Sequence, residues 1–253
     1  MPNRFKLIAC NVVQRELCAA VARSPSIVDV EFLELGLHER SEKLNQALQA
    51  RIDAAAESQA PGGEAYDAIL LGYGLCGNGT LGLEARKIPI VMPRAHDCCT
   101  LLLGSRAEFL ARFGDKLSSS WSSAGYIERG ATYFRASELG ETSGIGLEYA
   151  ELVARYGEEN AAYVWETLHP ERVETELRFI ETPETSCLGY TGVMAARAAS
   201  EGKDFVRLQG SSRLLEALLA GSWDEEEFLV VRPGERVQPA YDHELVIKAG
   251  AAG

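Results

Sequence analysis

The sequence predicts an α/β protein, a three-layer αβα arrangement built on a mainly parallel sheet of about seven strands. Three observations lead there. Short apolar runs alternate with longer helical patterns along most of the chain, the rhythm of strands joined by crossover helices. The run Ala68-Ile-Leu-Leu71 is apolar at each position, as a parallel strand covered on both faces requires. The 253 residues, 46% of them hydrophobic, suffice for one large α/β domain or two small ones. We therefore expect a single α/β domain over residues 1–253, with room for two lobes, 1–113 and 146–253, joined by an irregular segment, 114–145.

Phe5 to Cys10 reads as the first strand and Val12 to Ala22 as the helix after it, stopped by Ser24 and Pro25. Ile27 to Leu35 alternates as a second strand. Ser41 caps a helix whose apolar face is Leu44, Leu48, Ile52 and Ala55. Tyr66 to Gly72 is the third strand and Ile88 to Met92 the fourth, with a helix, Leu101 to Phe113, behind it. Residues 114–145 carry the serine-rich stretch Leu117 to Ala124 and several glycines, which reads as a long loop with one short strand near Thr132 to Phe134. Gly146 to Leu168 is a long amphipathic helix, bent or broken near Gly157. The last third resumes the alternation. Its strands are Arg178 to Glu181, Phe205 to Leu208 and Phe228 to Val231; its helices are Gly189 to Ala199 and Ser212 to Leu219.

The net charge of −12 argues against a nucleic-acid binder, which needs cations to displace phosphate counterions. No apolar run approaches the ~20 residues that span a bilayer. Met1-Pro-Asn-Arg-Phe-Lys-Leu-Ile-Ala-Cys10 leads into the first strand with no signal-peptide h-region, so a cytoplasmic protein without membrane association is expected. In that compartment six cysteines are not a disulfide framework. They either pack as small apolar residues or do chemistry.

Parallel sheets bind ligands beyond the carboxyl ends of their strands. Cys10 closes strand one. Cys76 follows strand three within Gly72-Tyr-Gly-Leu-Cys-Gly-Asn-Gly79, and His96, Cys98 and Cys99 follow strand four within Pro93-Arg-Ala-His-Asp-Cys-Cys-Thr100. Cys187 follows the strand at Arg178 to Glu181. With the common strand order 2-1-3-4, strands one, three and four are neighbours, so Cys10, Cys76 and the His96/Cys98 pair converge. Helix N-termini at that edge should enrich them in thiolate, the form that binds metal and attacks electrophiles.

Each of these residues also has a structural explanation. Any single thiol is accounted for by packing; three or more at one edge favour a site. Cys18, beside Leu17 and Val21 in the first helix, reads as core. His96 is a ligand, a base or a cap of the following helix, and Asp97 either orients His96 or caps that helix. Gly74, Gly77, Asn78 and Gly79 form a glycine-rich loop able to cradle an anion with backbone N–H groups, although no acidic residue follows where a dinucleotide site needs one. Arg94 and Arg15 are the cations nearest the edge, placed to hold a carboxylate or phosphate, with a surface ion pair the simpler role for Arg15. Tyr73 and Trp121 are pocket walls or core, and His38, His169 and His243 read as surface residues.

The segments Ile8-Ala-Cys-Asn-Val-Val-Gln-Arg-Glu-Leu-Cys18, Tyr66-Asp-Ala-Ile-Leu-Leu-Gly-Tyr-Gly-Leu-Cys-Gly-Asn-Gly79 and Pro93-Arg-Ala-His-Asp-Cys98 resemble the bacterial and archaeal family known as domain of unknown function 1638. Tyr156-Gly-Glu-Glu-Asn-Ala161 and Trp223-Asp-Glu-Glu-Glu-Phe-Leu-Val-Val231 extend the resemblance over nearly the whole chain. The family motifs carry over onto Cys10, Cys76, Arg94, His96, Asp97 and Cys98; Cys99 and Cys187 fall outside them. Members often accompany corrinoid-dependent methyl-transfer systems. The resemblance thus implies a one-carbon or methylamine-type context, a small-molecule substrate and a corrinoid protein as partner.

The expected function is a metal-binding cysteine site, with Cys10, Cys76 and Cys98 as ligands and His96 as fourth ligand or base. His96, Asp97 and Arg94 form the candidate catalytic set. Zn²⁺ suits this mixed sulfur and nitrogen set if one position stays open for a substrate thiol, and an iron–sulfur cluster on three cysteines is the alternative. As an enzyme the protein would be a metal-dependent methyltransferase; as an accessory factor it would serve a corrinoid methyltransferase. Two other classes stay open: a metal-free thiol enzyme of the two-cysteine racemase type, and a module that binds a corrinoid or small ligand without turnover.

Overall fold

A computed structural model describes residues 2–37, 40–58, 60, 63–114, 121–130, 153, 157–158, 175–240 and 245–252. In chain order its strands are β1 Arg4–Cys10, β2 Ile27–Leu33, β3 Ala68–Gly72, β4 Ile90–Pro93 and β5 Trp121–Ser123. They continue with β6 Glu176–Glu181, β7 Asp204–Gln209, β8 Phe228–Val231, β9 Glu235–Pro239 and β10 Ile247–Ala251. The helices are α1 Gln14–Arg23, α2 Ser41–Glu57, α3 Cys98–Leu103, α4 Arg106–Phe113, α5 Ala124–Glu128, α6 Tyr190–Ser200 and α7 Arg213–Ala220.

The class is α/β, as the alternation of elements requires, but the strands do not join in one sheet of about seven. The main sheet has the order β2-β1-β3-β4-β8, parallel except for β8 on the edge. β5, β6 and β7 pair as a separate parallel sheet, and β9 and β10 form an antiparallel pair. Side-chain chemistry explains the division. β3 is buried at all five residues and sits at the centre of the main sheet. β6 carries Glu176, Arg178 and Glu181 between its apolar residues, and β7 leaves Asp204, Arg207 and Gln209 exposed. Strands with so many charges cannot be covered on both faces.

The two parallel sheets share one apolar cluster, which includes Leu7, Leu71 and Met92 together with Trp121, Tyr126 and Ile180. The seam is close. A Cβ on Gly125, at the start of α5, would stand 1.7 Å from the Val12 carbonyl oxygen, so only glycine lets α5 rest on the 3₁₀ turn Asn11–Val13. Arg15 of α1 clasps Glu128 of α5 at 2.6 Å, and the Tyr190 hydroxyl donates to the same carboxylate at 3.2 Å. Below them the buried Thr182 hydroxyl donates to Glu16 of α1 at 2.8 Å.

Three elements differ from the sequence reading. The helix expected over Leu101 to Phe113 is two helices: Gly104 turns left-handed with φ 80°, and the Ser105 side chain accepts from the Glu108 amide to start α4. Part of the serine-rich stretch is ordered as β5 and α5 because Trp121 and Tyr126 anchor it, their rings meeting edge to face at 4.9 Å. The β9–β10 pair is hard to see in the sequence because its first strand, Glu-Arg-Val-Gln-Pro, buries Val237 alone. The strand expected at Thr132 to Phe134, the helix expected over 146–168, and His38, His169 and His243 lie outside the described residues. Among the described residues no helix is long and apolar enough to cross a membrane.

Candidate functional site

β1, β3 and β4 are adjacent and parallel, so their carboxyl ends open on one edge. The β1–β3 register runs to Ala9 opposite Gly72, and Cys10 and Tyr73 are the next residues on each strand. The loop after β3 is zipped to the turn after β4: the Leu75 amide donates to the Ala95 carbonyl at 2.8 Å and the Cys76 amide to the His96 carbonyl at 2.9 Å. Gly74 permits this approach, since a Cβ there would stand 2.7 Å from the Ala95 oxygen. The Thr80 hydroxyl donates back to the Gly74 carbonyl at 3.2 Å, and Asn45 of α2 donates to the Leu81 carbonyl at 2.7 Å. Cys76, Gly77 and Asn78 then follow with φ of 47°, 62° and 71°. For a cysteine this left-handed conformation costs about 1–2 kcal/mol.

Cys10, Cys76 and Cys98 are all buried, and they meet. Cys98 lies close enough to Cys10 and to Cys76 for both thiols to bear on its proton affinity. Their proton affinities diverge. The neighbouring Cys98 holds the Cys10 thiol below its ordinary value against the opposing effect of burial, helped by the Val12 amide and the charge of Arg129. Cys98 is driven well above the ordinary range by the same contact with Cys10, by Cys76 and by burial. A helix N-terminus should enrich Cys98 in thiolate; two neighbouring sulfurs and a dry site overcome it. Cys10 is therefore the more readily deprotonated thiol of the pair.

Two tyrosines close the thiol cluster. Tyr73 is buried beside Cys10, Cys76 and Cys98, and its hydroxyl has no hydrogen-bond partner. Tyr126 of α5 brings a second phenol to Cys98, Cys10 and Asp97 from the other sheet, and burial keeps it protonated. Asn11 Oδ1, Thr100 Oγ1 and Ser123 Oγ are further buried polar atoms without partners.

The remaining candidates fall as follows. Asp97 caps α3, its side chain accepting from the Thr100 amide at 3.3 Å, and burial pushes its carboxyl up to about 6 against the opposing Thr100 and Cys99 amides. His96 is partly buried with its ring 5.7 Å from that of Phe109. Arg94 turns to the polypeptide: its guanidinium donates to the carbonyls of Glu225 (2.8 Å), Leu245 and Ile247, fastening the chain before β10. In the glycine-rich loop the Leu75, Cys76 and Gly79 amides donate to the Ala95, His96 and Cys76 carbonyls. Gly77 and Asn78 are exposed, whereas Gly79 is packed against Leu44, where a Cβ would stand 2.6 Å from Cδ2.

The other three cysteines do not join the cluster. Cys99 is fully buried, and burial drives its thiol well up. Cys187 is exposed on the second sheet's side. Cys18 is also exposed, which corrects its reading as core: α1 buries Glu16, Leu17 and Ala20, and Cys18 faces a cavity of about 490 Å³ with Gln14, Arg15, Glu128 and Glu184. Sequence reasoning missed Tyr126, Asn11 and Ser123; the Trp121-Ser-Ser-Ala-Gly-Tyr126 run, with two aromatics in a serine-rich stretch, was the available signal.

Among the described residues no group of three or more His, Cys, Asp or Glu side chains is disposed as it stands to hold a metal ion.

No curated protein and no solved structure matches the chain. Residues 32–219 match the family described as Protein of unknown function (DUF1638), a span that takes in Tyr73, Cys76, His96, Cys98 and Tyr126 and begins after Cys10. The chain belongs to that family.

Proposed function

We propose that Cys10, Cys76 and Cys98 form a soft-metal site, with Zn²⁺ as first occupant and an iron–sulfur cluster as the alternative, in a protein of methyl-group metabolism. One observation carries the reading: three free, buried thiols from three separate strand ends lie close enough together for Cys10 and Cys76 both to bear on Cys98. In a tetrahedral zinc site with Zn–S near 2.3 Å, sulfurs lie about 3.8 Å apart, so the three thiols must come to that spacing to hold the ion. Metal uptake releases thiol protons, and Cys10, the most acidic of the cluster's shifted thiols, offers the natural first ligand. Asp97 fixes the start of α3 and with it Cys98; His96, in the same turn, is the proposed fourth ligand or base.

Bound zinc would hold a substrate thiol as thiolate and so ready it to accept a methyl group. The methyl-transfer context, the small-molecule substrate and the corrinoid protein partner rest on the family resemblance alone. Whether the protein turns substrate over or serves another methyltransferase is decided by assay. The test of the site is elemental analysis of anaerobically purified protein. One equivalent of zinc, lost in Cys10→Ala, Cys76→Ala and Cys98→Ala, supports it; absorbance near ~400 nm assigns iron instead. Full metal in each variant, or none in the parent, defeats it.

A metal-free reading has its own support, since the Cys10 thiol is lowered below its ordinary value by its neighbour Cys98, and a lowered thiol is what a nucleophilic cysteine needs. It requires selective alkylation of Cys10 by iodoacetamide in protein that contains no metal.

A further inference from the structure

We propose that Cys98 is a redox-active thiol that closes a disulfide with Cys10 or with Cys76 when hydrogen peroxide reaches the cluster. The assignment needs two sulfurs to come together and no metal among them, so it is independent of the metal reading above. Three free thiols are gathered from the ends of β1, β3 and β4, and the backbone holds them there. The Cys76 amide donates at 2.9 Å to the carbonyl of His96, two residues before Cys98, which ties the loop after β3 to the start of α3. On the other side α3 packs on the Asn11–Val13 turn, which begins one residue after Cys10. Cys98 thus lies between the other two thiols, and both bear on it.

Metal binding and disulfide formation make different demands on these sulfurs. A metal takes three or four ligands round one point, and among the described residues no such group is in place. A disulfide takes two sulfurs at a time, over Cα separations of about 4.4–6.8 Å, and the turns that carry these cysteines are already fastened to one another. Access also separates the thiols. Cys10 is 4% exposed and Cys76 and Cys98 are each 7% exposed, whereas Cys99 is 0% exposed. A molecule as small as hydrogen peroxide can touch the first three and not Cys99.

The reaction balances with hydrogen peroxide as the oxidant. One thiol of the pair gives up its proton and its sulfur attacks a peroxide oxygen. The O–O bond breaks, that sulfur becomes a sulfenic acid, and the hydroxide released takes the proton as water. The second sulfur then attacks the sulfenic sulfur. The S–O bond breaks, the S–S bond forms, and the second thiol proton leaves with hydroxide as another water. The pair loses two electrons and two protons, and the peroxide becomes two waters. The oxidised pair has no thiolate left for any ligand or substrate, and a thiol reductant restores it by exchange.

The experiment uses the full-length protein with Cys18→Ser and Cys187→Ser, which removes the exposed thiols, stripped of metal by a chelator and treated with hydrogen peroxide. After quenching with iodoacetamide, non-reducing peptide mass mapping should find Cys98 linked to Cys10 or Cys76, with a loss of two thiols that dithiothreitol reverses. Cys10→Ser should keep the link between Cys76 and Cys98, Cys76→Ser the link between Cys10 and Cys98, and Cys98→Ser should keep neither. Fragment spectra of the linked peptide tell Cys98 from Cys99 without a further substitution, so the assignment survives a variant that folds poorly. Absence of an internal disulfide after peroxide, a link that persists in Cys98→Ser, or a link through Cys99 overturns the proposal. The zinc content of untreated protein tests the metal reading separately and is untouched by these outcomes.

Discussion

The seam between the two parallel sheets rests on Gly125, and Gly125→Ala measures how much. The added Cβ would lie 1.7 Å from the Val12 oxygen and 2.6 Å from its carbon. Both are backbone atoms, so no rotamer change relieves the overlap, and α5 must retreat from the Asn11–Val13 turn by more than an ångström. Overpacking of this kind costs about 3 kcal/mol, at the upper end of the usual range. Alanine recovers about 1 kcal/mol of helix propensity. The balance is a loss of about 2 kcal/mol, a fall in Tm of roughly 4–8 °C for a chain of this size. Gly192→Ala is the control. Gly192 lies in α6 with nothing within 4 Å of its virtual Cβ, so only the propensity gain operates and Tm should rise slightly. Native-state titration with a thiol reagent reads the same event at the site: Cys18 and Cys187 react at once in every protein, being exposed, while Cys10 and Cys98 should react faster in Gly125→Ala as Tyr126 withdraws. A Gly125→Ala protein that melts within about a degree of the parent, with unchanged thiol kinetics, refutes this picture of the seam.

Three other outcomes follow from single contacts. Burial raises the Glu16 carboxyl above its ordinary 4.5, so its contribution to stability is complete below that value and is lost as pH rises through the folded-state value; Glu16→Gln, which keeps the acceptor for Thr182, should flatten that decline in urea titrations run from pH 4 to 7, and an unchanged pH slope contradicts it. Cys98→Ala removes the main cause of the lowered Cys10 proton affinity, so the pH midpoint for alkylation of Cys10 in metal-free protein should move up; a midpoint that stays or falls assigns the effect to Arg129 and Val12. Arg94→Ala frees the carbonyls of Glu225, Leu245 and Ile247 and should cost about 2 kcal/mol and open the β10 segment to protease, with metal uptake intact; loss of the metal would return Arg94 to the site.

The convergence of Cys10, Cys76 and Cys98 is legible because it follows from two coarse properties, the fully apolar run of β3 and the strand order, which hold whatever the details of packing. Register did the rest: residues that end neighbouring parallel strands emerge together. What escaped depends on finer geometry. Cys18 and Leu17 are adjacent in sequence but about 100° apart on the helix, so one is core and the other lines a cavity. Arg94 has the charge and position of an anion ligand, yet the carbonyls it binds are more than 130 residues away in sequence, where no periodicity points. The wall supplied by Tyr126 belongs to a segment whose serines mask two anchoring aromatics. Cys98 shows a local rule, acidification at a helix start, yielding to the sulfurs around it.

The most direct measurement of the central claim is X-ray absorption at the zinc edge of protein purified without chelators. Three sulfur neighbours near 2.3 Å and one lighter atom near 2.0 Å are predicted, with the sulfur count falling to two in Cys98→Ala. Zinc surrounded by nitrogen and oxygen alone, or a sulfur count unmoved by that substitution, would place the metal elsewhere and leave the three thiols without it.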